Sequence, residues 1–242
     1  MQKSRQHLQI GIPAETCLQE KRIPLTPDAV NLLVEHGHEV IIETNAGLNA
    51  HYSDQDFSEA GAKIVYSAKE VFEADMIVKV EPPSDEEIEL MKKGQTLISA
   101  LQLKTRSKKY FKALMKKGVT ALSFENIEDE DGIVPVVRSM SEIAGNTSIL
   151  IAAEYLSNAN EGKGFMLGGV SGVPPTEVVI IGAGTVGTFA ARTALGLGAN
   201  VKVFDRSLSK LRRLQSMLNN IPIYTCVIQP KILDKALMRC DV

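Results

Sequence analysis

Three glycines, Gly182, Gly184 and Gly187, lie between a β-branched run and a helical one, and form the stretch of this chain best suited to grip a diphosphate. Val178 to Ile181 is β-branched throughout and reads as a buried strand. Phe189 to Leu197 continues at helical spacing. In a strand that turns directly into a helix, each glycine has its own task. Gly182 makes the tight turn, where a side chain would block the backbone. Gly184 leaves room for a pyrophosphate to approach the main chain, and Gly187 lets the helix pack close to the strand. The helix start, at Thr185, Val186 and Gly187, then offers unpaired N–H groups and the positive end of its dipole to the phosphates. A second strand, Asn200 to Phe204, ends at Asp205, within the distance expected of the acid that binds the adenosine ribose. The competing reading is a bare structural turn, and the flanking strand, helix and acid together favour a dinucleotide site.

The elements that must position this motif follow from periodicity and capping. Leu8 to Pro13 is strand-like. Thr26-Pro27-Asp28 opens a helix with a capping hydroxyl, a proline at the first position and an acid in the first turn, with Val30, Leu33 and Val34 as its buried stripe and Gly37 ending it. His38 to Glu43 is strand. Ser53 to Asp56 opens a short helix closed near Gly61, and Lys63 to Tyr66 and Met76 to Val80 are further strands. Ser84 with Glu87 makes a capping box for a helix stopping at Gly94. Thr96 to Leu101 reads as strand, Ser107 to Lys117 as helix and Val119 to Phe124 as strand. Such alternation predicts an α/β fold, a doubly wound parallel sheet covered by helices on both faces. Glu125 to Gly132 is an acidic connection that breaks the pattern. Beyond it, Met140 to Leu156 reads as one long helix with Ile143, Ile149, Leu150 and Ala153 inward. The Gly/Pro-rich stretch from Gly162 to Pro175 then leads into the dinucleotide unit. The predicted domains are 1–135 and 136–242. After Asp205, Ile223 to Val227 is a third strand, Ile232 to Met238 a helix, and Asp241-Val242 the first residues of a fourth strand. A dinucleotide fold of this type carries six strands in two halves, so the second domain reads as truncated.

The net charge of −2 argues against a broad nucleic-acid surface. The basic run Lys104 to Lys117 interleaves Tyr110, Phe111, Leu114 and Met115 at helical spacing, which predicts a solvated helix face instead. Cys17, Cys226 and Cys240 lie far apart without any CxxC, so no metal site or disulfide frame is expected. The start, Met1 to Gln9, is polar and lacks the apolar core of a signal peptide, and no apolar run approaches a membrane span. A soluble, cytoplasmic protein is expected.

The chain resembles the family of alanine dehydrogenase and the NAD(H)-binding component of the proton-translocating transhydrogenase. The resemblance rests on Gly11-Ile-Pro-Ala-Glu15, on Glu20 to Pro27, on Gly37 to Val40 and on Gly94 to Leu97. It continues through Met140 to Gly145 and Gly168 to Pro175 to the glycine motif and Asp205. It implies a substrate domain followed by a Rossmann domain, with this chain covering roughly the first two thirds of a complete member. The implied reaction interconverts alanine with pyruvate and ammonia by hydride transfer to NAD. Arg22 matches the family's carboxylate-binding arginine, whose planar fork meets both oxygens of an acid. Ser141 matches a serine near the nicotinamide, with the N-cap of the long helix as its rival reading. Lys210 matches a position near the adenosine ribose, with an exposed helix lysine as its rival. Asp205 favours NAD over NADP, although Arg206 follows it.

Two positions depart from the family pattern. Glu81 stands where a second substrate-binding lysine is usual. At ~4 Å and an effective dielectric of ~20, reversing a charge beside an anion shifts its energy by about 4 kcal/mol in each direction. Lys79, two residues earlier, is then either a substitute cation or the neutraliser of Glu81. Gln102 stands at the catalytic histidine. An amide can donate to a carbonyl oxygen and orient it, but it does not shuttle protons, a service typically worth ~10²–10⁴-fold. The catalytic aspartate of the family is expected beyond Val242.

Three functions follow as expectations. The leading one is an NAD-dependent dehydrogenase of the alanine dehydrogenase type, acting on a small amino or keto acid, with Arg22, Lys79 and Gln102 at the reacting end. The second is a transhydrogenase-type subunit exchanging hydride with NADP(H) on a partner that is held at a membrane. The third is a non-catalytic NAD(H)-binding protein. The resemblance implies a homo-oligomer, a dimer or hexamer. The 242-residue chain by itself is expected to be inactive.

Overall fold

Period-two alternation places side chains on opposite faces of a strand, and in the computed structural model this separates two cores within the first half of the chain. The structure describes residues 7–219 and 221–242. Most of the polar start, on which the expectation of no signal peptide rests, lies outside them. The chain divides into two units, Met1–Ile127 and Glu128–Val242.

The first unit holds the strands β1 (Gln9–Ile12), β2 (Glu39–Glu43), β3 (Lys63–Val65), β4 (Met76–Val78), β5 (Thr96–Ser99) and β6 (Thr120–Ser123). They form one parallel sheet in the order β3-β2-β1-β4-β5-β6. The connecting helices are α1 (Pro27–Glu35), α2 (Asp54–Glu59), α3 (Ala68–Val71), α4 (Asp85–Leu90) and α5 (Lys108–Lys117). Val40 and Ile42 of β2 join Ile12, Val30 and Phe57 in one core, while Ile41 joins Val71, Ile77, Leu97 and Leu114 in the other. Both faces of the sheet are therefore covered, as an all-parallel sheet requires. The strand order reverses between β1 and β4, and ligands of doubly wound sheets bind outside the carboxyl ends at such a point.

Hydroxyl caps start these helices where the sequence placed them. Thr26 accepts the amide of Ala29, and Ser107 that of Tyr110. Ser53 with Asp56 and Ser84 with Glu87 form full capping boxes. The helix expected to stop at Gly94 ends at Leu90, because Met91 turns to extended backbone (ψ 139°). The short α3, capped by Ser67, escaped the sequence reading; four residues show no period. On α5, Tyr110 and Leu114 face inward while Met115 is exposed, so the basic run is a helix face as predicted.

The second unit opens with α6 (Pro135–Leu156), five residues earlier than the periodic run suggested, with Pro135 in its first turn. Val136 thus lies inside the helix. The strands β7 (Glu177–Ile181), β8 (Asn200–Asp205) and β9 (Tyr224–Val227) form a parallel sheet in that order, joined through α7 (Thr185–Gly196) and α8 (Leu208–Met217), with α9 (Pro230–Leu237) following. Val179 donates its amide to the Val242 carbonyl, and Asp241 donates its own to Glu177, so the last residues align beside β7. Ile149 and Leu156 of α6 are buried against α7 and the sheet, but Ile143 and Leu150, expected inward, are exposed. They sit seven residues apart on the helix face opposite Gly145, whose Cβ position lies 2.4 Å from the Val186 carbonyl. Close approach of α6 to α7 at that glycine decides which apolar stripe is buried. Among the described residues no helix is long and apolar enough to cross a membrane.

Candidate functional site

In the second unit the glycine motif turns from β7 into α7. Gly182 has φ +115°, a backbone that side chains rarely adopt, and no atom within 4 Å of its Cβ position. Conformation, not crowding, therefore requires glycine there. Gly184 has an ordinary φ of −77° and likewise nothing within 4 Å. Its missing side chain leaves open space. Gly187 is the opposite case, with its Cβ position 1.9 Å from the Gly182 carbonyl oxygen. No side-chain cap closes the start of α7, so its first-turn amides lack intrahelical acceptors and keep the positive end of the helix toward the turn. An open cleft of about 550 Å³ brings together Ser141, Gly182, Gly184, Thr185, Val186 and Gly187 with the side of β7 and Val242. Ser141 sits in the second turn of α6 and is not its N-cap, since the helix starts earlier.

Asp205 ends β8 with 8 % exposure and ties two turns together. One carboxylate oxygen accepts the Ala183 amide at 2.7 Å, the other the Ser207 amide at 2.7 Å. Each oxygen keeps a lone pair for a sugar hydroxyl. The Ala183 and Ser207 amides hold the Asp205 carboxyl below the ordinary value of 3.8. A depressed folded value stabilises above the unfolded value and loses that contribution as acid protonates the group. Asp205→Asn should accordingly be less stable than the parent near neutral pH, with the gap closing as pH falls below 3.8; acid denaturation curves of the pair check this. Lys210 is exposed on α8, where its amide is capped by Ser207, and reaches Asp205 only through its charge.

In the first unit the turns after β1, β4 and β5 converge at the reversal point. Arg22 holds Glu20 through two bonds, Nε at 2.8 Å and Nη2 at 2.5 Å, with Glu81 at 3.8 Å from Nη2. Gln102 donates Nε2–H to Glu81 at 2.8 Å. The sequence reading singled out these three positions separately, and the fold brings them together. One Nε2–H of Gln102 is thereby committed to a carboxylate, and the second remains to donate.

Lys79 differs from expectation. β4 ends at Val78, so Lys79 and Glu81 do not share a strand face. The Lys79 side chain is 1 % exposed and pairs with Glu87 at 2.7 Å and Glu15 at 3.3 Å. Its charge therefore balances two buried acids and not Glu81.

Glu15 and Glu125 were missed by the sequence reading. Glu15, just past β1, accepts the Val80 amide at 2.6 Å, and burial raises its carboxyl above the ordinary value against the pull of Lys79. Glu125, just past β6, accepts the amides of Leu101 and Gln102, each at 2.9 Å, and the Gln102 amide is the main reason its carboxyl is lowered. Gln102 carries φ +47°, an uncommon backbone for a side-chain residue, and Glu125 holds it there. An open cleft of about 410 Å³ lies beside it, lined by Gln102 to Thr105, Glu125 and Asn126. Glu15, Glu125 and Asp205 share one device: an acid at or just past a strand's carboxyl end clasps the amides of the neighbouring turn. That position, an acid within a few residues of a strand end, was the available signal.

Comparison with known proteins gives two family matches that together span most of the chain. Residues 11–144 match the N-terminal domain of alanine dehydrogenase/PNT, and residues 148–242 match its C-terminal domain. The chain is 41 % identical over 212 residues to an alanine dehydrogenase of Staphylococcus epidermidis, covering 88 % of this chain and 57 % of that protein. It is 41 % identical over 234 residues to one from Methanococcus maripaludis, covering 96 % and 62 %. An L-alanine dehydrogenase structure superposes with a TM-score of 0.87 at 39 % identity, over 96 % of this chain and 64 % of that one. A transhydrogenase from Sinorhizobium meliloti superposes with a TM-score of 0.79 at 24 % identity, over 96 % and 67 %, a likeness of fold. The chain thus spans less than two thirds of the alanine dehydrogenases it matches.

Proposed function

Since this chain belongs to the alanine dehydrogenase/PNT family, we propose that it serves in an NAD-dependent oxidoreductase interconverting a small amino acid, alanine, with its 2-keto acid, pyruvate, and ammonia. The first unit takes the acid and the second the dinucleotide. The observation that carries this reading is the division of labour among Gly182, Gly184 and Gly187, with open space at Gly184 where a diphosphate must approach. When bound, the nicotinamide supplies the hydride acceptor. Ser141, Thr185 and Val186 line its cleft, and Asp205 presents its remaining lone pairs to the ribose, with Lys210 lending charge nearby. In the first unit Arg22 takes the substrate carboxylate in place of one of its acidic neighbours, while Gln102 and Glu125 fix the wall opposite. The same reading carries a cytoplasmic location and a homo-oligomer.

Gly184→Ala tests it. The added methyl meets no protein atom within 4 Å and φ is ordinary, so stability should be unchanged. NADH affinity, followed by its fluorescence, should fall by ~10-fold or more as the methyl displaces the diphosphate from the amides. Equal NADH binding by parent and variant overturns the dinucleotide assignment.

One observation favours a second reading, a transhydrogenase-type subunit. Glu81 stands beside Arg22 and position 102 is an amide, and hydride exchange between nicotinamides needs neither an acid pocket nor a proton shuttle. NADH formation from NAD and alanine by the full-length protein decides for the dehydrogenase; its absence with NADH still bound decides against it, and hydride exchange with NADP(H) on a partner then separates the transhydrogenase-type subunit from a protein that only binds NAD(H).

A further inference from the structure

We infer that Glu81 is the counter-ion for a positively charged nitrogen of the substrate, so that this site selects the ammonium-bearing acid over the keto or hydroxy acid of the same shape. The inference rests on the first unit being the substrate site, as proposed above.

Its basis is the order of partners around Arg22. Glu20 already meets the guanidinium through two bonds, at 2.5 and 2.8 Å, whereas Glu81 stands off at 3.8 Å. Glu20 therefore balances the charge of Arg22, and Glu81 is the surplus. A substrate carboxylate alone adds to that surplus, while a zwitterion brings its own cation. The Glu81 side chain is 19 % exposed, sheltered enough for its charge to act but open on one side.

Gln102 points the same way. One Nε2–H is given to Glu81, which leaves the second N–H and the amide oxygen. An amide oxygen and a carboxylate both accept hydrogen bonds. Three N–H donors of an ammonium satisfy both, whereas a keto oxygen, itself an acceptor, gains nothing from either. The arrangement is held rigidly, since Glu125 clamps the Leu101 and Gln102 amides and fixes the positive φ of Gln102. Lys79 does not cancel Glu81, because it is spent on Glu15 and Glu87.

L-alanine and L-lactate differ only in ammonium against hydroxyl, and neither reacts with the reduced cofactor, so they are the probes. The full-length protein is first titrated with NADH, and each acid is then titrated calorimetrically into the NADH complex. The parent should bind alanine ~10–100-fold more tightly than lactate, the range of hydrogen bonds to a charged group. Glu81→Gln should bring the two within about threefold of each other, and Glu81→Lys should reverse the order in favour of lactate. Equal binding of both acids by the parent, or a preference that survives Glu81→Gln, overturns the inference while leaving the site assignment standing. A parent that binds NADH but neither acid, with Glu81→Lys equally silent, overturns the substrate-site reading and this inference together.

Discussion

Lys79→Met is expected to destabilise the first unit by about 3–5 kcal/mol, the usual effect of removing one partner from a buried ion pair. The methionine conserves most of the side-chain volume, so packing is not the reason. The loss comes from Glu15 and Glu87, which remain buried without their shared cation. Glu87 is doubly committed, since its other oxygen accepts the Ser84 amide and caps α4, and Glu15 secures the Val80 amide at the start of the turn carrying Glu81. The variant should therefore lose protection from hydrogen exchange along β4 and α4 as well as shift the urea midpoint of that unit. Adding Glu87→Gln removes one stranded charge but keeps the acceptor for Ser84, and should restore part of the loss. A midpoint within about 1 kcal/mol of the parent, judged against the usual burial penalty, shows that the cluster is hydrated and not a structural keystone.

Gly187→Ala should be nearly as damaging in the second unit, and for a steric reason. The added carbon would lie 1.9 Å from the Gly182 oxygen and 3.0 Å from its carbonyl carbon. Both are backbone atoms, so the turn itself must move. Overpacking of this kind typically costs ~1–3 kcal/mol, and displacement of the turn should weaken NADH binding by ~10-fold or more. Gly196, at the last position of the same helix, is the internal control. It has no atom within 4 Å of its Cβ position and no positive φ, so Gly196→Ala should be neutral or stabilising by ~0.5–1 kcal/mol. Thermal melts and NADH titrations of the two variants make the comparison. A Gly187→Ala protein that melts and binds like the parent removes the close approach of α7 to the turn as a requirement.

Much of the architecture was legible because the signals are local. A hydroxyl at Thr26, Ser53, Ser84 or Ser107 caps the amide three residues on, and a β-branched run followed by glycines bends within a single turn. The family resemblance was legible for the same reason, since its motifs are short and appear in order. Ile143 and Leu150 show where such reasoning stops: helical period identifies two apolar stripes on α6, but only the close contact at Gly145 chooses between them.

The sequence by itself determined most of the element order, the parallel α/β class and the strand, glycine turn and helix around Gly182, Gly184 and Gly187. Tertiary structure alone decided which charges meet. Lys79 turned inward to Glu15 and Glu87, Glu81 outward between Arg22 and Gln102, and Asp205 back onto the turn after β7. Apart from Glu87, which lies on α4, these partners follow different strand ends, and strand order brings them together, as with Val80 and Glu15, which are 65 residues apart in the chain. No spacing rule along the chain encodes such a meeting. β4 ends at Val78, so strand alternation does not reach Lys79 or Glu81, and their separate fates had to be seen rather than read.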